Sequence, residues 1–241
     1  MSPVDFKCNL NIKHISTASA IFEIDGVNLL TDPFFSPAGT EWDVGVTVLK
    51  NSDTPALGLQ DLPPIDAVLL SHEDHPDNLD ELGRRLLDGR KLHPRPGVRG
   101  IRPWETVPLE AGGKSFEVTG VPCQHLPGGE CTGFIITAPE FGSTDGLPNA
   151  IYFSGDTVYF EELGRDARQM PLPDGQLQIT MDGKQAARLF REIKADILVP
   201  MHYESRGHFT QNGKELAKAF EEEGIQDTVC WLTPGVSKKV L

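Results

Sequence analysis

The loop Ser71-His72-Glu73-Asp74-His75-Pro76-Asp77-Asn78 concentrates two imidazoles, three carboxylates and a carboxamide in eight residues. Imidazole nitrogen and carboxylate oxygen are the donors that hold divalent ions such as zinc or manganese. So many acids and histidines side by side repel one another unless a cation sits among them. Three further segments end in the same residue types. Val118-Thr119-Gly120-Val121-Pro122-Cys123-Gln124 leads to His125, Ala150-Ile151-Tyr152-Phe153-Ser154-Gly155 to Asp156, and Ile197-Leu198-Val199-Pro200-Met201 to His202. A lone histidine after an apolar run is unremarkable. Four runs that each end in a ligand-type residue point to a metal centre gathered at one edge.

Strands are the elements that must position such a set. Ile65-Asp66-Ala67-Val68-Leu69-Leu70 before the His-rich loop reads as a buried strand, and the other three runs are similar. Side chains just past the ends of several strands form a rigid constellation on one rim of a sheet. Strands are expected at 10–16, 19–24, 27–32, 65–70, 105–109, 115–121, 132–137, 149–154, 196–200 and 228–233. Asp25-Gly26 between alternating apolar residues predicts a hairpin turn. Helices are expected at 78–88, 182–194 and 213–223, the second capped by Asp182.

In this order and strand context the motifs resemble the metallo-β-lactamase superfamily of metal-dependent hydrolases. The chain looks most like the branch that includes L-ascorbate-6-phosphate lactonase-like proteins. The opening run 20–33 resembles that branch's first hairpin, and the resemblance extends from about Ile12 to about Leu232. It implies an α/β (α+β) fold, a four-layer αββα sandwich over one domain, residues 1–241. Two apolar-poor segments, 88–106 and 161–181, predict the loss of one or two peripheral elements. The branch often carries a Gly-His-Ala step near the first strand; here it reads Ser16-Thr17-Ala18.

The resemblance also implies a ligand set. The family pattern is His-x-His-x-Asp-His, and this chain departs from it. Anchoring on Leu79-Asp80 puts His75 in the second histidine's place, Asp77 in the aspartate's and Asn78 in the last histidine's. Anchoring upstream instead puts Asp74 at the second histidine and Pro76 at the aspartate; proline cannot bind metal, so the first register is better chemistry. The first ion would then take His72, His75 and His125. The second would take Asp77 and His202, with Asp156 bridging. Asn78, neutral and weakly donating, would hold the second ion loosely, and Asp74 is available to compensate. One or two divalent ions are expected, zinc first, with manganese or iron favoured by an oxygen-richer set. A divalent ion brings the pKa of bound water towards ~7. Asp77 would orient the nucleophile or hold the second ion. His208 is a candidate proton donor or oxyanion contact, equally open to a loop-fixing role.

The implied activity is cleavage of a small-molecule lactone, lactam, ester or phosphoester. The alternative, motivated by Asn78 and the sparse segments, is a metal- or ligand-binding protein of the same fold with impaired catalysis. Phe34, Phe35, Trp42 and Val44, in the long Pro- and Gly-rich stretch 34–63, would form an apolar wall beside the metals or fold onto one another. The 22 basic and 35 acidic residues give a net charge of −13. That argues against nucleic acid, whose phosphates need a basic track, and against an anionic membrane surface. Cys8, Cys123, Cys131 and Cys230 form no CxxC pair. With no apolar run of membrane-span length, a soluble cytoplasmic protein is expected.

Overall fold

The computed structural model describes residues 6–43, 48–87, 97–125, 129–160, 178–205 and 209–241. Its strands are β1 (Leu10–Ser16), β2 (Ser19–Ile24), β3 (Val27–Thr31), β4 (Glu41–Asp43), β5 (Val48–Lys50), β6 (Ala67–Leu69), β7 (Thr106–Ala111), β8 (Lys114–Pro122), β9 (Thr132–Thr137), β10 (Ser143–Thr144), β11 (Leu147–Pro148), β12 (Ala150–Phe153) and β13 (Ser237–Lys239). Its helices are α1 (Glu81–Leu86), α2 (Gly183–Glu192) and α3 (Gly213–Glu222).

Two sheets carry the core. The first runs β13-β1-β2-β3-β6 and the second β12-β9-β8-β7. The Asp25-Gly26 turn closes the β2–β3 hairpin, and β6 joins β3 in parallel. Inward residues of the first sheet, including Ile12, Phe22 and Leu29, meet Val118, Phe134 and Phe153 of the second in one apolar cluster. Leu82 and Leu86 of α1 cover the outer side of the first sheet, against Ile15, Ile21 and Leu30. Phe190 of α2 and Phe220 of α3 pack with Leu198, Val229 and Trp231. This is the mixed α/β, sheet-rich architecture expected, with few helices.

The departures have physical reasons. The strands expected at 196–200 and 228–233 shrink to one parallel bridge, Leu198 to Val229. Pro200 lacks an N–H, and Pro234 follows closely on the second run, so neither extends into a ladder. Strand β13 has no apolar pattern to announce it; it is held by backbone pairing to β1. The stretch 34–63 contains the β4–β5 hairpin rather than an unbroken loop. Phe34 and Phe35 are buried, the latter among the residues under α1, and the Phe34 ring packs tilted against Trp42 with centroids 5.8 Å apart. They fold inward and do not form the substrate wall; Val44 lies outside the described residues. The cap read from sequence is in place, Asp182 accepting from Gln185 N at 2.8 Å; the structure adds Asp80, which caps α1 by accepting from Gly83 N at 2.7 Å.

Candidate metal centre

Each donor stands where a strand gives out. The His-rich loop follows β6, His125 follows β8, Asp156 follows β12, and His202 follows the Leu198 bridge. Left-handed backbone at Gly155 (φ 60°) and His202 (φ 59°) turns the chain sharply at two of these ends. Glycine suits this left-handed position, and a Cβ there would press on Thr132 O at 3.1 Å and Ser71 Cβ at 3.3 Å.

One ring nitrogen from each of His72, His75 and His125 lies within 4.8 Å of the others. The His125 Nδ1–H donates to Ile179 O at 2.7 Å. A carbonyl can only accept, so the proton is on Nδ1 and Nε2 presents a lone pair, the usual arrangement of a metal-binding imidazole. His72 Nδ1 meets Ser71 Oγ at 2.8 Å, and its Nε2 is buried with no hydrogen-bond partner among the described residues. Burial holds the His72 pKa below the usual value, keeping the ring neutral, as a ligand must be.

The second group closes around His202. Its Nδ1 is 3.0 Å from Asp156 Oδ1 and its Nε2 3.4 Å from Asp77 Oδ2. Asp156 Oδ2 lies 4.0 Å from His125 Nε2, so this carboxylate stands between the two groups. His75 Nδ1 contacts Asp77 Oδ1. Burial alone would lower the His202 pKa, but Asp156 and Asp77 outweigh it and raise the value to about 10. Burial likewise opposes ionisation of Asp156 and Asp77. The histidines reverse this, bringing Asp156 to about 2 and Asp77 well below the usual carboxylate range. A proton on His202 thus neutralises a site built to carry negative charge.

The structure brings His72, His75, Asp77, His125, Asp156 and His202 together. Asp74 is exposed and does not join them. Asn78 is fully buried; its Nδ2 donates to Asp32 Oδ2 at 3.1 Å, and its Oδ1 has no partner among the described residues. His208 lies outside the described residues.

Sequence reasoning missed Asp32, Ser71 and Thr17. Asp32 is buried at the end of β3 and accepts from Ser71 N at 2.7 Å and Ser71 Oγ at 2.8 Å as well as from Asn78. It thereby clasps both ends of the His-rich loop. Burial raises its pKa to about 7, against the pull of those donors. Thr17, at φ 40°, donates its hydroxyl to Asp77 O at 3.0 Å. The signal for Asp32 was present: β3 is a fifth apolar run leading to a ligand-type residue.

Residues 27–203 match the family described as the beta-lactamase superfamily domain. The chain belongs to that superfamily. A protein of Methanopyrus kandleri named "UPF0173 metal-dependent hydrolase" is 26% identical over 95% of this chain and 99% of its own length. One of the same description from Methanoculleus marisnigri is 29% identical over 86% of this chain and 92% of its own. The crystal structure of an isothiocyanate hydrolase from Delia radicum gut bacteria shares the fold, with TM-score 0.67 and 18% identity over 95% of this chain and 98% of that one.

Proposed function

We propose that this protein is a metal-dependent hydrolase of a small molecule, cleaving a lactone, lactam, ester or phosphoester. The observation that carries the proposal is the convergence of six ionisable donors on one rim, with the His125 proton held on Nδ1 by Ile179 O so that Nε2 turns its lone pair towards the other donors. The names borne by the two archaeal relatives agree with it. A divalent ion held there would acidify water and polarise the substrate's electrophilic centre. The residues fit such an ion, because the buried Nε2 of His72 is left to be satisfied by it. His72, His75 and His125 form the nitrogen-rich set that suits zinc. Asp77, His202 and Asp156 form an oxygen-richer set that suits zinc, manganese or iron.

The chain's own residues do the rest. Asp77, anchored through its carbonyl by Thr17, orients the nucleophile or holds the second ion. Asp156 joins the two sets, and His202 gives up its proton when a cation arrives. His208 is the proposed proton donor. Asn78 supplies an amide oxygen where a histidine would bind more strongly, which favours full occupancy of the first set. A small-molecule substrate in the cytoplasm accords with the net charge of −13 and with the absence, among the described residues, of a helix long and apolar enough to cross a membrane.

Elemental analysis of protein purified without added metal tests the proposal first, followed by turnover of a panel of lactones, lactams, esters and phosphodiesters. One to two equivalents of zinc, manganese or iron are expected, and His125→Ala should release the ion of the first set. Unchanged metal content in that variant would show the ligand set is wrong. Metal without turnover across the panel would favour the second reading, a binding protein impaired by Asn78.

A further inference from the structure

The β8–β9 ladder runs as far as Pro122 opposite Thr132. Continuing the antiparallel count by one step sets Cys123 opposite Cys131. Residues facing each other in such a ladder have Cα atoms about 4.5–5.5 Å apart. That falls inside the roughly 4.4–6.8 Å that a disulfide spans. The thiols' surroundings agree with this placement. Cys123 Sγ donates to Ser154 O at 3.2 Å, and Cys131 Sγ lies 3.4 Å from where a Cβ on Gly155 would stand. Both thiols therefore sit at one turn, the turn that presents Asp156. The Cys131 thiol donates a hydrogen bond to Cys123, the first cause holding its pKa well above the usual range, with burial adding to it. Burial, then both thiols, push the Tyr152 phenol up as well. Both cysteines are half-buried and free, so a small oxidant can reach them.

We propose that Cys123 and Cys131 are a redox modification site, closing reversibly into a disulfide at the base of the loop that carries His125. Each thiol loses a proton and the two sulfurs bond. The two electrons and two protons pass to a small-molecule disulfide such as oxidised glutathione, which leaves as two thiols. The bond encloses residues 124–130 in a short covalent loop, pinning the backbone beside His125. Its effect on metal binding rests on the reading of the centre given above; formation of the bond does not.

The test uses the full chain, reduced and then incubated with excess oxidised glutathione. Remaining thiols are alkylated under denaturing conditions and the digest is mapped by mass spectrometry. The expected result is a peptide pair joined through Cys123 and Cys131, with Cys8 and Cys230 still alkylated. The double variant C8S/C230S should behave identically, and Cys123→Ser should leave Cys131 unlinked. Alkylation of both Cys123 and Cys131, separate glutathione adducts on each, or links to Cys8 or Cys230 would overturn the proposal. Zinc affinity of the oxidised and reduced forms is then compared. A change of threefold or more supports coupling to the His125 loop, and equal affinities overturn the coupling. If neither form binds zinc, the metal-centre reading has failed, while the linked peptide still decides the disulfide.

Discussion

At the scale of single residues, Ser71 links the buried acid Asp32 to His72 of the candidate centre. With Asp32 ionised, the Ser71 hydroxyl donates to Asp32 Oδ2 and accepts the proton on His72 Nδ1. That fixes the tautomer in which His72 Nε2 carries a lone pair, as the Ile179 carbonyl does for His125. Removing the hydroxyl in Ser71→Ala leaves both imidazole nitrogens to choose. Loss of such an outer contact costs about 10–100-fold in metal affinity, and that loss is expected in competition with a chelating dye. Unchanged affinity would show that the relay does not set the tautomer. His72, His75, His125, Asp156 and His202 were legible in the sequence because histidines and acids at strand ends are uncommon company. Ser71 and Thr17 were not, because serine and threonine are ordinary at strand ends; Asp32 carried the strand-end signal, but only its contacts with Ser71 and Asn78 across the chain give it a role.

At the scale of elements, α1 holds the His-rich loop to the first sheet. Arg84 grips Glu73 twice, through its carboxylate at 2.9 Å and its carbonyl at 2.8 Å. Asp80 caps α1 and also accepts from Phe35 N at 2.9 Å, tying the helix start to the chain leaving β3. Gly83 lets the two meet: a Cβ there would stand 1.9 Å from Pro33 O and 2.9 Å from Pro33 C. Two effects oppose each other in Gly83→Ala. Helix propensity favours alanine by about 1 kcal/mol. Overpacking costs about 1–3 kcal/mol or more, and here the obstacle is backbone, which cannot rotate away. The clash wins at the upper end of that range, so denaturant unfolding should show a net loss of about 2 kcal/mol or more, with weakened metal binding because Arg84 moves with the helix. A stabilised variant would mean that α1 is not pressed against Pro33. The apolar spacing of Leu79, Leu82 and Leu86 announced this helix, yet nothing local announced why a glycine interrupts it. The same limit hid β13 and inflated 196–200 and 228–233 into strands. Periodicity reports which residues seek burial, whereas ladder pairing depends on which backbone lies alongside.

At the scale of the whole molecule, the metal-free protein is a proton-binding device above neutral pH. His202 has its folded pKa raised to about 10 by Asp156 and Asp77 against the opposing effect of burial, and the His75 value is raised by Asp77, again against burial. A group whose folded pKa lies above its unfolded value contributes stability that is complete below the unfolded value, near 6.5 for histidine, and is lost as pH climbs through the folded value. Asp32, raised to about 7 by burial, has the same sign, but its window closes near neutrality. His72 and His14, both lowered by burial, act with the opposite sign, yet only below about 6.5. Asp77 and Asp156 act only in acid, below the ordinary carboxylate value near 3.8. Between pH 7 and 10 the terms therefore agree, and growing self-repulsion on a chain already at −13 adds to them. Metal-free protein should lose stability steadily over that range, at about 2–4 °C of Tm per kcal/mol for a domain of this size. If His202 is a ligand as proposed, a divalent ion would displace its proton, and the apparent affinity should rise with pH by about tenfold per unit for each proton displaced. Thermal melts from pH 7 to 10, with chelator and with excess zinc, check both halves together. The chelated curve should fall, and the gap to the zinc curve should widen as pH rises. A chelated curve that is flat or rising would mean that His202 does not hold its proton between Asp77 and Asp156.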